Sequence, residues 1–183
     1  MTFGGYIQLT AAAASMILLI VAAVSDVARY RIPNTVVIGI VAAFALGAIG
    51  NFAWPAILWP VLAAAAMFLL GAGLFAAGLF GGGDVKLIAA MALWTGFADL
   101  PRFLLIMGAA GGLLGFAFLI KRQRTTSVAN PAAHATSTAM PSEAAPALRK
   151  SRIPYGVAIA VGGFDFFLMS QHSPFAPLWP WMQ

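Results

Sequence analysis

Four stretches of the chain carry no charged side chain at all: residues 6–25, 35–53, 56–80 and 103–120. They are 20, 19, 25 and 18 residues long. A helix needs about 20 apolar residues to cross a bilayer. Two weaker stretches follow the same pattern. Residues 85–97 contain Lys86, and residues 154–170 contain Asp165. Charge makes up only 8% of the 183 residues, against about a quarter in a soluble domain. A water-soluble globule and a disordered chain are both excluded. The expected fold is all-α: a single polytopic membrane domain, residues 1–183, with about six transmembrane helices. Residues 1–25 hold no Lys or Arg, so the first span lacks the positive start of a cleaved signal peptide and is read as a retained helix.

Orientation follows from the basic residues. With six spans, Arg29, Arg31, Lys86, Lys121, Arg122, Arg124, Arg149, Lys150 and Arg152 fall on one side, and Arg102 alone on the other. This predicts cytoplasmic basic loops and both termini outside. The net charge of +5 is then a topology signal, and no nucleic-acid partner is expected. Residues 121–153 are rich in Ala, Pro, Ser and Thr and are expected to be a disordered cytoplasmic loop, which sets His134 and Glu143 aside. The tail, 173–183, with Trp179 and Trp181, reads as an interfacial anchor.

There is no cysteine and there are two histidines, His134 and His172. Thiol chemistry and Cys-based metal sites are excluded, and neither metal nor cofactor is expected. Five acids remain. Asp99 is expected to pair with Arg102 in an outside turn. Asp165 lies about 11 residues, or roughly 16 Å of helix, past Pro154. It is either a mid-membrane carboxylate or a polar contact where Gly162-Gly163 breaks the span. The first choice would favour a small transporter or a non-catalytic assembly subunit. Asp26 and Asp84 stand at the cytoplasmic ends of two spans. Alone, Asp26 is a polar terminator and Asp84, after Gly81-Gly82-Gly83, a helix N-cap. Together, two carboxylates meeting across a bundle would share a proton and could act as general acid and general base without a metal.

Gly81-Gly82-Gly83-Asp84-Val85-Lys86-Leu87 resembles the GxGD-x-K-L motif of the type IV prepilin peptidases, which are aspartic endopeptidases. Asp26 followed by Arg31-Ile32-Pro33-Asn34 resembles their first catalytic motif, and Ile153-Pro154-Tyr155-Gly156 their IPFG segment with Tyr for Phe. The resemblance implies that Asp26 and Asp84 are the catalytic pair. It implies a substrate, a prepilin or pseudopilin, whose short cytoplasmic leader is cut after a glycine at the cytoplasmic face of the bacterial inner membrane. Pilus or secretion-system assembly proteins are the implied partners. Gly81 and Gly83 would keep the loop narrow enough for an extended substrate strand. Lys86 and Arg31 would tune the pair, contact the loop or serve only as topology charges, and Pro33 and Asn34 would set the start of the second helix. The larger members add a cytoplasmic segment, often with Cys-x-x-Cys pairs, that methylates the new N-terminus. With no cysteine and about five residues before the first span, the chain is similar to the compact Flp-type form, and no methyltransferase activity is expected.

Overall fold

The computed structural model describes residues 3–51, 56–126, 154–170 and 172–174. Among these residues there are five helices and no strand: α1 (Phe3–Arg29), α2 (Asn34–Asn51), α3 (Leu58–Ala76), α4 (Gly82–Thr126) and α5 (Tyr155–Met169). Three segments are long and apolar enough to cross a membrane: Phe3–Arg29, Leu58–Ala76 and Gly82–Ile120. Asn34–Ile49 and Tyr155–Met169 are shorter apolar helices.

α4 is two helices in one. Gly96, with φ 54° and ψ −165°, interrupts it in a conformation essentially closed to residues bearing a Cβ. Pro101 follows in the opening residues of the second half, where a missing N–H costs least. The packing shows that the chain turns back at this break. The Tyr155 ring lies 5.5 Å from Phe80, just before α4 begins. The same ring comes within 3.5 Å of a Cβ built on Gly111. A straight helix would hold Gly82 and Gly111 about 44 Å apart. The first half of α4 therefore runs alongside α5 and the second half returns antiparallel to it.

The other helices alternate in the same way. Gly39 of α2 meets Leu18 of α1, and Gly47 meets Ala11 and Gln8, which is an antiparallel pair. Gly71 of α3 meets Val85, while Trp59 at the other end of α3 packs on Phe97 at 6.4 Å. Short α5 is the centre of the bundle. Its Gly156, Ala158, Ile159, Ala160, Gly162, Gly163, Phe166 and Phe167 are all buried. The small residues let neighbours come close: Leu19 of α1 and Met91 of α4 press on Gly163, and Phe103 on Gly162. Leu19, Ile40, Leu87, Met91, Phe103, Ile159 and Phe167 complete a core drawn from α1, α2, α4 and α5. The outer faces remain apolar: Leu69 and Leu70 of α3, Leu105 and Leu113 of α4 and Ile49 of α2 are all exposed. Such surfaces suit a lipid solvent.

Several expectations are corrected. Gly162-Gly163 does not break the last span, because both glycines keep helical geometry and serve as contact points within continuous α5. α4 runs on to Thr126, so the first six residues of the segment expected to be loop are helical. The rest of it, with His134, Glu143, Arg149, Lys150 and Arg152, lies outside the described residues, as does most of the tail with Trp179 and Trp181.

Candidate active site

One end of the bundle gathers the end of α1, the start of α2, the loop between α3 and α4, and the start of α5. Asp26 sits one turn before the end of α1 and is only 6% exposed. A buried carboxylate needs a donor. It has the backbone N–H of Gly156, the second residue of α5, which donates to Asp26 Oδ2 at 2.6 Å. Gly156 lies 130 residues further along the chain. It has to be glycine, since a Cβ there would lie 2.8 Å from Asp26 Cβ and 2.9 Å from Oδ2.

Asp84 is half-buried in the first turn of α4. It is not the N-cap that its sequence position suggests. Gly81 occupies that place, its C=O accepting the N–H of Val85 at 3.2 Å. Asp84 reaches back, and its Oδ2 accepts the N–H of Gly81 at 3.2 Å, as the acid of a capping box does. An acid in this first turn also meets the positive end of the helix. The three glycines are not equivalent. Gly83 is packed, with Ile32 Cβ 3.2 Å from where its own Cβ would stand. That contact brings the 31–34 segment against the glycine loop. Two hydrogen bonds hold the segment there: Ser25 Oγ donates to the Arg31 carbonyl at 2.8 Å, and Lys86 Nζ donates to Asn34 Oδ1 at 3.1 Å. Pro33 shapes the start of α2, its C=O accepting the N–H of Val36 at 3.1 Å.

Asp26 and Asp84 line one cleft of about 590 Å³. Arg31, Ile32 and Gly81, Gly82 and Gly83 contribute to its wall, and Tyr30, Phe75, Phe80 and Tyr155 give it an aromatic lining. Of the residues singled out in the sequence, Asp26, Asp84, Gly81, Gly83 and Arg31 therefore border one space. Lys86, Pro33 and Asn34 support it from behind. Tyr30, Phe75 and Phe80 are not singled out in the sequence, whereas Tyr155 and Gly156 are, but only as a motif. Gly156 forms part of the Ile-Pro-Tyr-Gly segment, but nothing local shows that its N–H faces Asp26.

Asp99 and Asp165 lie at the opposite end. Arg102 does not pair with Asp99 as expected. Its Nε and Nη2 donate to Asp165 Oδ2 and Oδ1 at 2.8 and 3.1 Å. Asp99 instead faces His172 Nδ1 at 3.0 Å. The planar guanidinium fits both oxygens of one carboxylate, and the antiparallel packing of α5 on the second half of α4 puts Asp165 within reach. Asp165 is thus a polar contact.

A sequence model of the type IV leader peptidase family matches residues 13–116, more than half of the chain. No curated protein matches, and no solved structure matches. Asp26, the glycine loop and Asp84 lie within the matched stretch, whereas Gly156 and α5 lie beyond it. With its apolar helices around a cleft that holds two carboxylates, the chain belongs to the type IV leader peptidase family and is a membrane peptidase.

Proposed function

We propose that the chain is an aspartic endopeptidase that removes the short cytoplasmic leader of a prepilin or pseudopilin, with Asp26 and Asp84 as its catalytic pair. The observation that carries this reading is the single cleft lined by both carboxylates and by the glycine loop. An extended substrate strand would lie along Gly81–Gly83. One carboxylate takes a proton from water as the water oxygen attacks the scissile carbonyl carbon, and the other gives a proton to the carbonyl oxygen. The first carboxylate then passes the water proton to the amide nitrogen as the C–N bond breaks, the second takes a proton back from a hydroxyl of the tetrahedral intermediate, and two chain ends leave. The Gly156 N–H keeps the Asp26 carboxylate aimed throughout. Either carboxylate can fill either role, because two acids sharing one cleft would titrate as a pair.

The charge distribution supports a cleft on the cytoplasmic side of the membrane, which on this reading is the bacterial inner membrane. Arg29, Arg31 and Lys86 are exposed at the cleft end, and Arg102 lies at the other. Counting each half of α4 as one crossing makes six, with both termini outside. The peptidase would serve a Flp-type pilus or a secretion system together with its assembly proteins. A transporter reading finds no support in Asp165, which is engaged by Arg102.

The test is Asp26→Asn and Asp84→Asn, made separately, in a prepilin-processing assay with matched protein levels. Each is expected to abolish cleavage. Normal processing by either variant defeats the assignment.

A further inference from the structure

α1 ends on a residue of the wrong kind. A helix commonly closes on a left-handed residue, most often glycine, because a Cβ crowds the following carbonyl there. The residue here is Tyr30, with φ 51°, the single non-glycine of positive φ among the described residues. Its N–H donates to the Asp26 carbonyl at 2.8 Å, so the turn is anchored on Asp26 itself. The carbonyl of the next residue is held by Ser25 Oγ. The fold gains little from the side chain. Tyr30 is 44% exposed, and among the described residues its ring stacks on no other ring and its hydroxyl has no partner. Instead, the side chain lines the cleft that holds Asp26 and Asp84. A strained backbone kept where packing does not require it points to a role in the site it borders.

We propose that Tyr30 is a substrate-contact residue whose ring receives an apolar side chain next to the scissile bond. The inference rests on the peptidase reading of the cleft. Phe75, Phe80 and Tyr155 line the same space, so an apolar residue at the start of a substrate's hydrophobic helix finds an aromatic surface there. A glycine would serve the turn better and the substrate worse. Stability and activity should therefore move in opposite directions on substitution, which a purely structural role would not produce.

The experiment uses the full chain in detergent and a synthetic peptide probe. The probe carries a short leader, a glycine at the cut and an apolar helix of about 20 residues. Tyr30→Gly and Tyr30→Asn, both suited to the left-handed region, are expected to raise the thermal midpoint. They should lower kcat/KM about tenfold or more, chiefly through KM. Tyr30→Phe should stay within about twofold of the parent. With a second probe, in which the first apolar residue after the cut is alanine, the Tyr30→Gly loss should shrink to about twofold, because the partner side chain is gone. Parental kcat/KM in Tyr30→Gly, an undiminished loss with the alanine probe, or a lower thermal midpoint overturns the proposal. Asp26→Asn in the same assay separates the two readings. If it still cleaves, the peptidase assignment falls. If it is inactive while Tyr30→Gly cleaves normally, only the role of Tyr30 falls. No cleavage by the unaltered chain defeats both.

Discussion

Gly156→Ala adds one methyl group to the most constrained contact of the site. The new Cβ would stand 2.8 Å from Asp26 Cβ, 3.2 Å from Cγ and 2.9 Å from Oδ2. Carbon atoms in van der Waals contact sit at about 3.5–4.0 Å, so the shortfall is roughly 0.7–1.2 Å. A rotamer change does not relieve it, because Asp26 Cβ is attached directly to the α1 backbone. α5 must move away from α1 or α1 must bend. α5 is also held lower down, where Leu19 presses on Gly163. Overpacking of this size costs about 1–3 kcal/mol of stability. The activity should suffer more. A displacement of about 1 Å lengthens the 2.6 Å bond from the Gly156 N–H to Asp26 and turns the carboxylate, and misplacement on that scale can cost about 100-fold in rate. Thermal unfolding and initial rates of prepilin cleavage, measured on equal amounts of folded protein, separate the two effects. A folded Gly156→Ala that cleaves within about twofold of the parent would refute the idea that this contact aims Asp26.

Two further outcomes follow from the same geometry. Gly81→Ala places a Cβ 2.7 Å from Asp84 Oδ2, so the carboxylate must swing off the Gly81 N–H; cleavage should fall about 10–100-fold with little change in unfolding temperature, and a parental rate would show that this hydrogen bond does not orient Asp84. Arg102→Ala removes both hydrogen bonds to Asp165, but Arg102 is 47% exposed, so the stability loss should be only about 1 kcal/mol; the unfolding midpoint should drop while cleavage at a permissive temperature is unchanged, and a loss of cleavage in folded protein would tie this end of the bundle to the chemistry.

The reading of Arg102 shows where one-dimensional argument ends. Asp99 is three residues away and of opposite charge, so proximity in sequence favours that pair. The bundle brings Asp165 to Arg102 from 63 residues away, with both carboxylate oxygens facing the guanidinium. The same holds for Asp84. Its place after three glycines suggests a cap, but the helix begins earlier, at Gly82, which makes Asp84 the residue that reaches back. The cleft end was more legible. The Arg31-Ile32-Pro33-Asn34 segment and the glycine loop could be picked out as motifs, and the contacts between Gly83 and Ile32 and between Lys86 and Asn34 show why the two belong together.

Sequence alone determined what is set by local composition. Long uncharged stretches must satisfy their backbone groups internally in lipid and so become helices. Scarce acids leave few candidates for chemistry, and two of them stand at span ends beside chain-turning residues. Tertiary structure decided everything that depends on which helix lies beside which. It folded α4 back at Gly96, seated α5 at the centre, brought Asp26 and Asp84 to one cleft and set the Gly156 N–H against a carboxylate 130 residues away. It also put Tyr30 in a left-handed turn that its residue type disfavours. Hydropathy and periodicity are summed along the chain and carry no term for such pairings, which arise only when small residues let particular helices approach.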